Sequence, residues 1–151
     1  MLIVTKNEKI SLSSENETEE LAHIISKKIK LGDVIFLHGE MGVGKTTFIK
    51  YLINSFQKKN KFKQTEVTSP TFNILIEYQI NQVMINHYDL FRLKSSDELN
   101  NLNLFENKSN RITLIEWPQI INEKPSNLIE LFFKYEDDHL NRSVQIKGLD
   151  L

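Results

Sequence analysis

The segment from Val34 to Phe56 constrains the fold of this chain more than any other. Val34-Ile35-Phe36-Leu37 is a continuous apolar run with two β-branched members, as a central parallel strand buried on both faces requires. Gly39-Glu40-Met41-Gly42-Val43-Gly44-Lys45-Thr46 follows at once and fills every position of G-x-x-x-x-G-K-S/T. Beyond it, Phe48, Ile49, Leu52, Ile53 and Phe56 mark one face of a helix that starts at Lys45. Strand, glycine turn and helix in this order make a phosphate-binding loop. The glycines let successive backbone N–H groups face phosphate oxygens, and the helix N-terminus adds its partial positive charge. Lys45 supplies an ammonium for the β- and γ-phosphates, the Thr46 hydroxyl suits an octahedral Mg²⁺ that keeps several waters, and Thr47 adds a hydroxyl near the α-phosphate.

The rest of the chain reads as one mixed α/β domain over residues 1–151, a length that matches roughly 150 residues per domain. Lys9 to Leu12 alternates like a short strand, and Ser14 with Glu17 forms a capping box ahead of a helix running from Glu15 to about Lys30. Its stripe is Leu21, Ile24, Ile25 and Ile29. Asn73 to Gln79 and Val83 to Tyr88 suggest a hairpin turning at Ile80-Asn81-Gln82. Ser96 to Glu106 is a weaker helical stretch capped by Ser96, Ile112 to Ile115 is a strand, and Leu128 to Tyr135 with Ser143 to Ile146 makes a last hairpin.

Composition removes whole classes of function. Hydrophobic residues at 40% and charged residues at 26% do not fit a disordered, collagen-like or heptad-repeat chain. A balance of 19 basic against 20 acidic residues gives no bulk attraction for nucleic acid, so DNA binding is not expected and any RNA contact is local or shared. Cysteine is absent, which excludes disulfides, thiolate metal sites and Cys nucleophiles and is compatible with a reducing cytoplasm. The first residues lack the pattern of a signal peptide, and no apolar run approaches ~18 residues, so neither export nor a membrane location is expected.

Two carboxylates compete for the place beside the glycine loop. Glu116 ends the apolar strand Arg111 to Ile115, as a metal-shell acid does, and Asp89 ends the less apolar strand Val83 to Tyr88. One can serve Mg²⁺ while the other orients the attacking water. Ser69-Pro70-Thr71-Phe72 lies in a loop, where Pro70 favours extended backbone at Ser69 and Thr71 can offer a hydroxyl to the γ-phosphate, although a plain turn explains it as well. His87 is a lone strand histidine without the orienting partner a general base needs, and reads as structural. Trp117, the only tryptophan, reads as wall or packing, and the basic stretch Lys58 to Lys63 as a solvated face.

Four blocks in one order resemble a known family. The glycine loop G-E-M-G-V-G-K-T-T-F, S-P-T-F at Ser69, H-Y-D-L-F-R-L at His87 and I-E-W-P-Q at Ile115 are similar to those of TsaE (YjeE), the bacterial P-loop ATPase of tRNA threonylcarbamoyladenosine synthesis, over nearly the full length. The resemblance implies a single P-loop NTPase domain with a mixed, mostly parallel central sheet flanked by helices. It implies ATP and Mg²⁺ as ligands, with Gly42, Val43, Gly44, Lys45, Thr46 and Thr47 as the nucleotide loop, Thr46 and Glu116 as Mg²⁺ positions, and Asp89 and Thr71 as elements of hydrolysis. It further implies TsaD and TsaB as partners, with tRNA met only through their complex. The chain departs from the family pattern at Asn103, where relatives often carry glycine, and at Leu140-Asn141-Arg142, which matches a C-terminal Gly-Arg pattern loosely.

The main rival is a nucleoside or small-molecule kinase, which shares the phosphate cradle but clamps the transferred group with several lid arginines. The chain has three arginines, Arg92, Arg111 and Arg142, unclustered in sequence. A GTPase needs a guanine-reading Asn-Lys-x-Asp after a strand, and Asn107-Lys108-Ser109-Asn110 lacks the acid and precedes its strand. A nucleotide-gated binding module without catalysis is the third class.

Overall fold

The computed structural model describes residues 9–70, 72–137 and 140–151. One seven-stranded sheet takes up strands from both ends of the chain: β1 (Ile10–Ser11), β2 (Val34–His38), β3 (Leu75–Ile80), β4 (Val83–Asp89), β5 (Arg111–Glu116), β6 (Leu128–Tyr135) and β7 (Arg142–Lys147), in the order β1-β7-β6-β2-β5-β4-β3. The four central strands β6, β2, β5 and β4 run parallel, and β3, β7 and β1 add antiparallel edges. Both expected hairpins are present, the first turning at Asn81 in left-handed backbone (φ 52°), which asparagine tolerates.

Side-chain alternation along β2 explains the continuous apolar run. Ile35 and Leu37 face the helix layer, Val34 and Phe36 face the opposite side, and all four are buried. The helix layer consists of α1 (Glu15–Ser26) and α2 (Lys45–Lys59), which pack on one another as well as on the sheet. Leu21, Ala22 and Ile25 of α1 meet Phe48, Ile49, Leu52, Ile53 and Phe56 of α2 in one core cluster.

The two helices differ from the sequence reading at their ends. The capping box at Ser14 and Glu17 forms, but α1 stops at Ser26, short of Lys30. The Ser26 hydroxyl donates to the His23 carbonyl, Lys28 and Ile29 both donate to Ile25, and Gly32 turns the chain at φ 97°. Ile29 is still buried, beyond the helix. Helix α2 runs one turn past Phe56, so Lys58 and Lys59 are exposed on its last turn, where cations suit the helix dipole.

Across the other face lies no α-helix among the described residues. Ser96–Asn101 is a 3-10 helix that ends before Glu106, and its N-cap is Ser95, whose side chain makes no capping bond. Asn103 and Asn107 take left-handed backbone (φ 51° and 56°), which stops helix propagation and gives Asn103 the conformation that glycine favours. Leu90, Leu104 and Tyr88 pack there against Val34, Phe36 and Ile115. No helix among the described residues is long and apolar enough to cross a membrane.

Candidate active site

Strand register assembles the site. Leu37 of β2 is level with Glu116 of β5, and Glu116 is level with Asp89 of β4, so both acids stand at the carboxyl ends of parallel strands beside the loop that leaves β2. Ligands of open α/β sheets bind at that edge. Gly42 and Gly44 of the loop take left-handed backbone (φ 79° and 118°), which admits glycine without a Cβ penalty. Gly44 is the N-cap of α2, makes no side-chain capping bond, and is followed by a first turn without an acidic residue.

A cavity of about 350 Å³ opens over this loop, lined by Met41, Gly42, Gly44, Lys45, Thr46, Thr47, Ser69, Asp89, Phe91, Glu116, Trp117 and Arg142. Of the residues expected to bind nucleotide, Val43 is absent from that lining. Its side chain lies in the core cluster at 1% exposure, and its amide donates to the Glu40 carbonyl at 3.2 Å. Thr71 lies outside the described residues.

Lys45 is buried, with Nζ donating to the Gly39 carbonyl at 2.5 Å and lying 3.5 Å from the centre of the Trp117 ring. Burial lowers its pKa from the ordinary 10.5, and the carboxylates of Glu116 and Asp89 oppose that shift. Trp117 is therefore wall, as the sequence suggests, and cation–π partner as well. Its backbone turns at φ 58° directly after Glu116, and Phe91 packs on its ring at 4.9 Å between centroids.

Both carboxylates are buried, and buried charge requires donors. Glu116 accepts from the Thr46 hydroxyl at 3.2 Å on Oε1 and from His87 Nε2 at 2.7 Å on Oε2. Asp89 accepts from the Phe91 amide at 3.0 Å and from the Ser69 hydroxyl at 3.3 Å. His87 thus has the partner the sequence reading denied it. Twenty-nine residues separate His87 from Glu116, and only the parallel pairing of β4 with β5 brings them together.

Two oxygen-bearing side chains, Thr46 and Glu116, converge where a hard cation would sit beside a polyphosphate. The described residues hold no cluster of three or more His, Cys, Asp or Glu that would cage a metal alone. That donor set fits Mg²⁺, which takes one or two protein oxygens together with substrate phosphates and water.

The family profile described as threonylcarbamoyl adenosine biosynthesis protein TsaE matches residues 12–144. The chain belongs to the TsaE family. A tRNA threonylcarbamoyladenosine biosynthesis protein TsaE from Rickettsia bellii is 41% identical over 133 residues, covering 87% of this chain and 90% of that one. The TsaE protein of Rickettsia conorii is 40% identical over 111 residues, 74% of this chain and 61% of its own length. The crystal structure of Bacillus subtilis YdiB superposes with a TM-score of 0.68 at 26% identity, covering 97% of this chain and 86% of that one. TsaE is thus a family of tRNA threonylcarbamoyladenosine synthesis, and the mixed sheet with its helix layer is shared with a solved structure.

Proposed function

We propose that this TsaE-family chain binds ATP with Mg²⁺ at the glycine loop and hydrolyses it when docked on TsaD and TsaB, sustaining repeated rounds of adenosine modification on tRNA. The observation that carries the reading is the convergence of the Lys45 ammonium, the Thr46 hydroxyl and the Glu116 and Asp89 carboxylates on one cavity at the strand ends.

In this reading the amides of Gly42 and of Gly44 to Thr47 hold the phosphates and Lys45 neutralises the β- and γ-phosphates. Thr46 and Glu116 would hold Mg²⁺, which would supply positive charge against the negative charge that develops on the phosphate. Asp89, fixed by Phe91 and Ser69, orients the attacking water, and Thr71 is assigned a part in hydrolysis by the family resemblance alone. Trp117 and Phe91 keep bulk water from the Lys45 side. A second cavity of about 230 Å³ shares Gly44, Thr47 and Arg142 with the first and continues to Leu12, Ser14 and Thr18, which gives the nucleoside room beyond the α-phosphate.

The test is reconstitution. Purified chain is added to TsaB, TsaD, threonylcarbamoyl-adenylate and tRNA, and modified adenosine is counted over many turnovers with and without ATP. ATP-dependent gain is expected. Equal yield without this chain would reject the proposal, and phosphate transfer to a small acceptor would replace it with a kinase.

A further inference from the structure

His87 is the most completely buried polar side chain next to the site, at 0% exposure, and its role is not covered by the reading above. It sits on β4 level with Leu114, on the same sheet face as Ile85, Asp89 and Glu116. Its Nε2 lies 2.7 Å from Glu116 Oε2, and a carboxylate only accepts, so the ring carries its proton on Nε2 and donates. Nδ1 is buried with no hydrogen-bond partner among the described residues. A histidine kept for the fold would be expected to spend both nitrogens on it. Here the one polar contact found is to the carboxylate that faces Thr46.

Glu116 shows why that contact matters. Its Oε1 accepts from Thr46 at 3.2 Å, while Oε2 lies 3.5 Å from the same hydroxyl, at the limit of a hydrogen bond. Without His87 the carboxylate could rotate and exchange its oxygens. The bond from Nε2 removes that freedom and keeps Oε1 on the Thr46 side.

We infer that His87 is a positioning residue for divalent-cation binding, holding the Glu116 carboxylate in the rotamer that aims one oxygen at the Thr46 hydroxyl. The inference rests on the Mg²⁺–nucleotide reading of the site and deepens it. Groups that orient metal ligands typically contribute 10–100-fold to metal affinity.

The experiment is calorimetric titration of the full chain with the β,γ-imido analogue of ATP, in EDTA and in MgCl₂, for the parent, His87→Leu and His87→Gln. Leucine removes the donor and glutamine supplies an amide N–H at a similar reach. His87→Leu should lose roughly 10–100-fold of the gain in affinity that Mg²⁺ gives, with its affinity in EDTA unchanged. His87→Gln should keep most of that gain. If His87→Leu does not fold, His87→Asn takes its place, because its shorter amide falls short of Glu116 and should also lose the gain.

An undiminished Mg²⁺ gain in the donor-less variant overturns the inference. So does a loss of equal size in EDTA, which marks a structural role, or a folded His87→Gln that fails as badly as leucine. A parent that binds the analogue but gains nothing from Mg²⁺ defeats the His87 inference and leaves the nucleotide reading standing. A parent that binds no analogue defeats both.

Discussion

Gly39→Ala tests the geometry of the loop without touching a charge. Gly39 leaves β2 at φ 150°, and a Cβ there would stand 2.8 Å from the Phe133 carbonyl oxygen, 2.8 Å from Val43 Cγ1 and 3.1 Å from Phe133 Cβ. The carbonyl belongs to the sheet backbone and cannot swing aside, whereas the Val43 methyl can be trimmed. A glycine-only conformation costs on the order of 1–3 kcal/mol for a residue with a Cβ, and an extra methyl forced into a packed core costs on the order of 1–3 kcal/mol. The sum, about 2–6 kcal/mol, corresponds to a fall in Tm of roughly 5–20 °C for a chain of this size. The Gly39 carbonyl also accepts from Lys45 Nζ, so a displaced loop moves the ammonium and ATP affinity should fall with stability. Urea unfolding gives the first quantity and calorimetric ATP titration the second, with exposed Glu40→Ala as the control expected within about 0.5 kcal/mol of the parent. Adding Val43→Ala to Gly39→Ala removes one contact of the two at 2.8 Å, so the double variant should lose less than the two single losses added together. A Gly39→Ala chain within about 0.5 kcal/mol of the parent, binding ATP as before, would refute the reasoning.

Three further outcomes follow from the same contacts. Lys45→Ala should weaken ATP binding by about 10- to 100-fold, the worth of a charged hydrogen bond, while Glu116→Ala and Asp89→Asn bind ATP better than Lys45→Ala does and slow its hydrolysis; phosphate release in the partner-activated complex at normal speed would remove either acid from the mechanism. Phe48→Ala should cost about 3–5 kcal/mol in urea unfolding, because Phe48 is fully buried and meets Phe133 edge-on at 5.8 Å; a cost below 1 kcal/mol would show that the helix layer is not packed as described. Burial alone would raise the Glu130 carboxyl, but hydrogen bonds from His38 at 2.9 Å and Lys124 at 3.1 Å outweigh it and hold the pKa below the ordinary 4.5. The stabilisation is therefore full above 4.5 and lost as pH falls through the lower folded value, so Glu130→Gln should be less stable by about 1 kcal/mol near pH 7 and level with the parent in acid; an equal deficit at both pH values would contradict the pairing.

What the sequence made legible is what neighbouring residues encode. The β2 run, the glycine loop and the α2 stripe are contiguous, and each follows from local periodicity and glycine chemistry, so they appear in the structure with shifts of a few residues at helix ends. Glu116 and Asp89 were legible as acids ending strands, but their standing level with one another was not, because register is a property of two strands and not of either alone. The partner of His87 is invisible in the sequence for the same reason, since it stands on the next strand. Val43 shows a different limit: the loop motif leaves that position open, and only the packing of Gly39 against β6 shows that the valine turns inward to the core. The Asn-rich stretch after Asp89 reads as weak helix by spacing, and left-handed Asn103 and Asn107 break it into turns.

The site's electrostatics follow from its burial and not from its count of charges. One ammonium and two carboxylates are each less than one-tenth exposed, a placement that is costly unless every charge has a fixed partner. The partners come from separate parts of the chain: the loop carbonyl of Gly39 and the Trp117 ring for Lys45, the Thr46 hydroxyl and His87 for Glu116, the Phe91 amide and Ser69 for Asp89. Each of the three charged groups is thus held by at least two contacts among the described residues. Such an arrangement resists reorientation when a highly charged ligand arrives, and dipoles fixed before the ligand binds are the ones that act on it most strongly. Asp89 differs in one respect. Its Ser69 contact comes from the segment ahead of β3, where Ser69 is exposed, and not from the sheet, so its surroundings depend on how that segment lies.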